Sequence, residues 1–469
     1  MRRWRTAWWL AALLAAAVAA GCLPNRVAIS PDGRTMYFSL GPQGPFGGGG
    51  GLSNIYSLQI ETAEMQALTD GPGAKTWCMP TDGAKRLAYM ELPVAAGERA
   101  IRLLDLETGQ DIPLTGALQP HMYPWAIPDR EPRLLAIREG ADAEPYWALY
   151  GEKGLMALPL PEGAKAVLGN VGVAPDRFAV AVSKDVKLPA DAQGAEKDGH
   201  EYQVFVVDLA AGPAAEGEEE ADAEAKAEVN ATAVARWLVE KEPVVDLAFS
   251  EDGSRLVAAV LEDPTVFYEL DVTGQAEPKR LFECLKAYYP QAAPDGGAVY
   301  LRTSAADEGW REVVLWRPDG PEQVLARLPG KLGEAYTTWR WLEDGRLRVY
   351  HLSNEGVRII ETAADGSEAK ARRLSGDNLM ALKYAADLKR GIARTLCVSE
   401  GECPEALAEK LKPVLDPLGQ IVKSGDDAFE QAQQAAAVWE EVPAVPEIEA
   451  PAAAEAPAAE KPAEEPAAP

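Results

Sequence analysis

A turn-centred repeat runs along this chain at near-constant intervals, and it leaves few folds open. The unit is an apolar stretch, a Pro-Asp-Gly-like turn, then a second apolar stretch. It appears as Val27–Gly33 before Thr35–Ser39, Trp77–Gly83 before Leu87–Met90, Trp125–Arg130 before Leu134–Ile137, and Val173–Arg177 before Phe178–Val182. Later copies are Leu247–Gly253, Ala292–Gly296 and Trp339–Gly345, and Tyr384–Asp387 is a degenerate last one. Pro presets φ at the first turn position, Asp bonds its own backbone, and Gly accepts a positive φ. Between β-branched and aromatic runs such a turn predicts a hairpin. The turn aspartates, from Asp32 to Asp387, are spaced by 50, 47, 47, 76, 43, 49 and 43 residues. Six of those intervals fit the roughly 40–50 residues of a four-stranded propeller blade.

A second hairpin completes each unit. Its first strand is Ile55–Glu61, Ile101–Gly109, Trp147–Tyr150, Val204–Asp208, Phe267–Gly274, Val313–Gly320 or Arg358–Glu361, and a closing strand such as Met65–Thr69 or Ile112–Thr115 follows. Seven full units are expected from about Asn25 to Gly376. The half-unit Leu379–Val398 forms a partial eighth blade or packs under the ring. The fold class is therefore all-β, a propeller of about seven four-stranded blades, with eight as the alternative.

These modules resemble the TolB-like, WD-repeat-like propeller family, which combines a Ser-Pro-Asp-Gly turn (here Ser30–Gly33), an Ile-Tyr-containing strand (Ile55-Tyr56) and a closing Leu-Thr (Leu68-Thr69). The resemblance covers about three quarters of the chain. It implies a docking platform for cell-envelope proteins or peptides, with the ring receiving its partner at one end.

The N-terminus reads as an export signal. Arg2, Arg3 and Arg5 precede an uncharged run from Thr6 to Ala20, too short for the ~20 residues of a spanning helix. Ala19-Ala20-Gly21-Cys22 resembles the bacterial lipobox. The resemblance makes residues 1–21 a lipoprotein signal peptide and Cys22 the acylated residue, tethered to a membrane without spanning it. Leu23, by the same kind of resemblance, favours the outer membrane facing the periplasm. Four cysteines remain. Cys397 and Cys403 are spaced to close a small surface disulfide loop, whereas Cys78 and Cys284, on apolar strand-like segments, are expected as buried thiols.

The formal charge is −27, and a surface of that sign disfavours nucleic acid. A monomer without cofactor is expected. An acidic insertion from about 184 to 229 accounts for the 76-residue interval; its core, Gly212–Glu228, is rich in Glu and Ala and reads as a solvated loop. The propeller then occupies 22–400, a helical segment 401–440, and a Pro/Ala/Glu-rich disordered tail 441–469.

Catalytic patterns are scarce. His121, His200 and His351 are unpaired at ligand spacing, and turn or rim positions are expected for His121 and His351. No nucleophile elbow, phosphate loop or metal pattern occurs. The repeated aspartates read as turn formers, and Trp77, Trp125, Trp339 and Trp341 as blade-packing residues. The expectation is a non-enzymatic, protein-binding scaffold of the envelope. The alternatives are a lyase or glycan hydrolase using the channel, and a structural spacer.

Overall fold

A computed structural model describes residues 27–41, 53–71, 73–92, 100–114, 125–126, 134–139, 145–151, 154–161, 164–167, 171–174, 176–188, 197–209, 229–239, 244–261, 264–305, 309–330, 335–397 and 440–441. These residues form seven antiparallel sheets, five of four strands and two of five. The first sheet holds Ala28–Ile29, Thr35–Leu40, Asn54–Gln59 and Met65–Ala67, and the second Ala74–Thr81, Arg86–Leu92, Ala100–Asp105 and Asp111–Pro113. The third runs from Trp125 to Ala157, the fourth from Lys165 to Val239, the fifth from Val244 to Cys284, and the sixth from Ala287 to Pro329. The seventh comprises Ala335–Trp341, Leu347–Ser353, Gly356–Thr362 and Lys370–Ser375, with Glu440–Glu441 added at its outer edge.

The repeated turn explains its own sequence. Ser30 Oγ donates to Asp32 Oδ1 at 2.5 Å and accepts Thr35 N–H at 2.9 Å, while Asp32 accepts Arg34 N–H at 3.0 Å. The same arrangement recurs 220 residues on, where Ser250 bonds Asp252 at 2.5 Å and Arg255 N–H at 3.0 Å. Hydrogen bonds from Ser250 and Ser254 hold the Asp252 carboxyl down at about 2. In the second hairpins Asp105 and Asp271 cap their turns by accepting two and three backbone N–H groups. The aspartates are turn formers.

Each sheet packs face to face on its neighbours, so second strands are covered on both sides. That explains why Thr35–Leu40 is buried throughout and why Leu256–Leu261 is an unbroken apolar run. Shared apolar clusters join first to second sheet, second through fourth, fourth to fifth, fifth to sixth and sixth to seventh. One more cluster joins Tyr350, Leu352 and Ile359 of the seventh sheet to Met36, Phe38 and Tyr56 of the first. The chain therefore closes on itself as a β-propeller.

Among the described residues, closure uses side chains rather than an exchanged strand. Arg340 Nη1 donates to Ser30 O at 3.0 Å, Arg348 Nη1 to Gly33 O at 2.9 Å, and Tyr350 OH to Gly33 O at 3.1 Å. Arg372 Nη1 reaches Ile60 O at 2.5 Å and Glu61 O at 2.9 Å.

After the seventh sheet the half-unit is no partial eighth blade; it packs against the ring instead. Residues Gly376–Cys397 form a helix, α1, and among the described residues no eighth sheet exists. Ser375 Oγ accepts Asn378 N–H at 3.2 Å and so caps α1. Leu379, Leu382 and Ala386 form its buried stripe against the first and seventh sheets. The degenerate turn Tyr384–Asp387 lies inside this helix: Asp387 accepts Tyr56 OH at 2.5 Å and Lys383 Nζ at 2.7 Å. An apolar run with helical spacing had imitated a strand.

The fourth sheet differs too. Its hairpin Arg177–Leu188/Lys197–Leu209 runs well into the stretch read as insertion, held there by cross-strand charge pairs such as Lys187–Asp198. The acidic core 212–228, the N-terminal signal with Cys22, Cys403, the 401–439 segment and the tail after 441 lie outside the described residues.

Candidate binding site in the central channel

The innermost strands of the sheets surround a channel. Two adjoining cavities of about 310 and 220 Å³ share Val173, Phe249, Gln291, Tyr336, Thr338 and Trp339 in their walls. The larger opens toward the Pro-Asp-Gly turns, where Val27, Ile29, Pro31, Met79 and Pro80 add an apolar rim. Six strands contribute to this lining, one from each sheet but the third.

One charged pair stands in this wall. Arg340 Nε lies 3.6 Å from Glu251 Oε1, linking the seventh sheet to the turn of the fifth. Burial pushes the Glu251 carboxyl up, and Arg340 opposes that shift. The site thus combines aromatic and aliphatic surface with a single ion pair, chemistry suited to an apolar segment carrying one or two polar groups. Sequence reasoning missed Glu251 as a channel residue. Its signal was a departure from the repeat, Ser-Glu-Asp-Gly where the first copy has Ser-Pro-Asp-Gly.

The residues singled out from sequence are dispersed. Trp77, Trp339 and Trp341 are buried, as packing residues should be, although Trp339 also faces the channel. The side chain of Trp125, His121, Cys22 and Cys403 are outside the described residues, and Cys397 is the last residue of α1. Cys78 is fully buried, whereas Cys284 is only half-buried, because it ends the outermost strand of its sheet. His200 is paired across the long hairpin with Asp185, Nδ1 to Oδ1 3.1 Å. His351 is not at a rim: it lies within the strand Leu347–Ser353, 1% exposed. Among the described residues no group of His, Cys, Asp and Glu is arranged to hold a metal ion.

No family model matches the chain, and no curated protein matches its sequence. Solved structures do align with it at low identity. TolB from Acinetobacter baumannii aligns over 71% of this chain and 78% of its own, at 13% identity and a TM-score of 0.34. An oligogalacturonate lyase in complex with manganese aligns over 76% of this chain and 83% of its own, at 12% identity and a TM-score of 0.41. A puromycin-hydrolyzing peptidase of Mycobacterium tuberculosis aligns over 74% of this chain and 53% of its own, at 12% identity and a TM-score of 0.44. The chain spans only 44–60% of the length of three of the similar structures, this peptidase among them. The expectation of a non-enzyme is corrected by these findings: peptidases and a lyase are among the proteins that share the architecture. At such identities the likeness is one of fold. No described helix is long and apolar enough to cross a membrane.

Proposed function

We propose that this chain is a lipid-anchored protein of the bacterial cell envelope whose propeller receives a peptide or protein segment at the turn-bearing mouth of its channel. The observation that carries this reading is the channel wall itself. It offers the half-buried Tyr336, Val173 and Ile29 to an apolar anchor and one ion pair, Glu251–Arg340, to fix its register. Aromatic anchors of this kind dominate binding energy in protein recognition. Cys22 is the proposed acylation site, holding a monomeric ring close to the outer membrane on its periplasmic side, and Cys397 and Cys403 are proposed to form a disulfide.

The test uses crosslinking and recovery from intact cells with three proteins: wild type, Thr338→Arg and Cys22→Ser. Thr338 lines both cavities, so a long cation there fills the channel while leaving the sheets' cores intact. The expected result is a defined envelope partner with wild type, its loss with Thr338→Arg, and release of Cys22→Ser into the soluble periplasm. A partner retained by Thr338→Arg contradicts binding in the channel; membrane retention of Cys22→Ser contradicts the lipid anchor.

A further inference from the structure

A second cavity, of about 250 Å³, lies away from the channel at the opposite ends of the strands, where the seventh sheet meets the end of the sixth. Its chemistry is set by register. Thr337 pairs with His351, His351 with Arg358, and Arg358 with Arg373, so these four residues form one row across the whole sheet. They share a face with Val349, Ile360 and Ala371, which pack toward the sixth sheet. One residue pair further along that face are Ser353 and Ser375, and α1 begins immediately beyond.

Three features of this row are unusual in a chain of net charge −27. Arg358 and Arg373 stand directly opposite each other, an arrangement that destabilises a sheet when both are charged. Among the described residues neither guanidinium has an ion-pair or hydrogen-bond partner within bonding distance, and repulsion from Arg373 adds to burial in disfavouring the Arg358 cation, with Glu355 opposing. His351 is the third feature. Its Nδ1 lies 3.0 Å from Thr337 Oγ1, and its Nε2 is buried with no hydrogen-bond partner of normal geometry. Burial and the Arg358 charge lower the ring to about 4, so it is neutral near pH 7, with the Pro329 carbonyl on the cavity wall opposing that shift. In the tautomer where Thr337 donates to Nδ1, the ring's proton sits on Nε2.

We propose that this cavity is an anion site for a phosphate group, free or as the monoester of a small molecule, held by Arg358, Arg373 and the Nε2–H of His351. Paired guanidiniums give charge-assisted bonds to such an oxyanion. The N-terminus of the 22-residue helix α1 adds its dipole from the same side. The hydroxyls of Ser353 and Ser375 both line the space, although each already accepts a backbone N–H. Glu355, on the exposed hairpin tip, is the one carboxylate among the described lining residues. A tetrahedral ion suits donors converging from a sheet, a buried ring and a helix end better than a planar carboxylate does. The volume sits just under the 300–1,000 Å³ typical of ligand pockets, room for a phosphate and a short carbon chain. This site is independent of the channel reading.

Calorimetric titration of the full chain with inorganic phosphate, glycerol 1-phosphate and acetate, at constant ionic strength, tests it. One saturable phosphate site per chain is expected, weakened by about tenfold or more in Arg358→Gln/Arg373→Gln. Tighter binding of the ester than of free phosphate assigns the source to an ester, and the reverse order to the free ion. Nitrogen chemical shifts of the His351 ring in the wild-type chain must move on phosphate addition, a readout that needs no variant. The proposal is overturned if neither phosphate compound binds in the millimolar range. It is equally overturned if acetate binds as tightly, if the double variant binds unchanged, or if phosphate binds with the His351 signals unmoved.

Discussion

Replacing Arg348 with Met opens the seam between the seventh and first sheets without removing much volume. The Arg348 side chain is 11% exposed and spans three partners, one of them Glu61 at 3.6 Å. Its Nη1 donates to Gly33 O at 2.9 Å, and its Nε donates to Glu361 Oε1 at 2.7 Å. Losing a hydrogen bond from a charged donor costs about 1.5–3 kcal/mol. Glu361 is itself 5% exposed, and stripping a buried charge of its partner costs about 3–5 kcal/mol. Lys370, 2.8 Å away, keeps part of that interaction, and Tyr350 OH still reaches Gly33 O. The net expectation is a loss of about 3–4 kcal/mol, measured by urea unfolding at neutral pH. The companion readout is hydrogen exchange in residues 30–35, which should quicken specifically. Arg302→Met is the control, because Arg302 binds Glu312 and Glu322 within the sixth sheet and lies away from the seam between the seventh and first sheets. A loss below about 1 kcal/mol, or exchange in 30–35 no faster than in the control, refutes closure by these side chains.

Three further outcomes follow from the geometry. Gly356 has φ +120°, and a Cβ there would meet Leu374 O at 1.9 Å, so Gly356→Ala should cost about 3 kcal/mol or more by thermal or urea unfolding; an unchanged midpoint contradicts the hairpin geometry. His351 titrates near 4 in the folded chain against 6.5 unfolded, so the unfolded chain takes up a proton first and stability falls as pH drops from about 6.5 to 4. That contribution is up to about 3 kcal/mol and should vanish from the pH profile of His351→Gln, measured without phosphate; parallel profiles contradict a buried neutral ring. Ser250→Ala removes the hydroxyl that bonds both Asp252 and Arg255 N–H and should lower stability by about 1–2 kcal/mol, with no loss if the repeat serine has no turn role.

The repeat made the propeller legible because each turn is a local device. Ser30, Asp32 and Gly33 interact within five residues of one another, and their spacing then reports the strand count. What local patterns do not report is where two elements meet. The Gly33 carbonyl bound by Arg348 and Tyr350 is more than 300 residues away in sequence, and nothing about either side chain announces that contact. The helix α1 escaped for the opposite reason: Leu379, Leu382 and Ala386 do carry helical spacing, but the trailing Ala-Ala-Asp resembles the repeat's turn. The row Thr337–His351–Arg358–Arg373 was hidden by register. Four residues on four strands are unrelated in sequence until the pairing is known. Glu251 was the accessible one, since a substituted consensus position is visible in the repeat itself.

The central claim is that the chain closes on itself, its last described helix seated on its first sheet. Tyr56 of that sheet donates to Asp387 of α1 at 2.5 Å across 331 residues of sequence. A double-mutant cycle with Tyr56→Phe and Asp387→Asn, read by urea unfolding at neutral pH, measures that contact directly. Closure gives a coupling of about 1.5–3 kcal/mol, the range for a hydrogen bond to a charged group. Additive single effects, with coupling indistinguishable from zero, would contradict it.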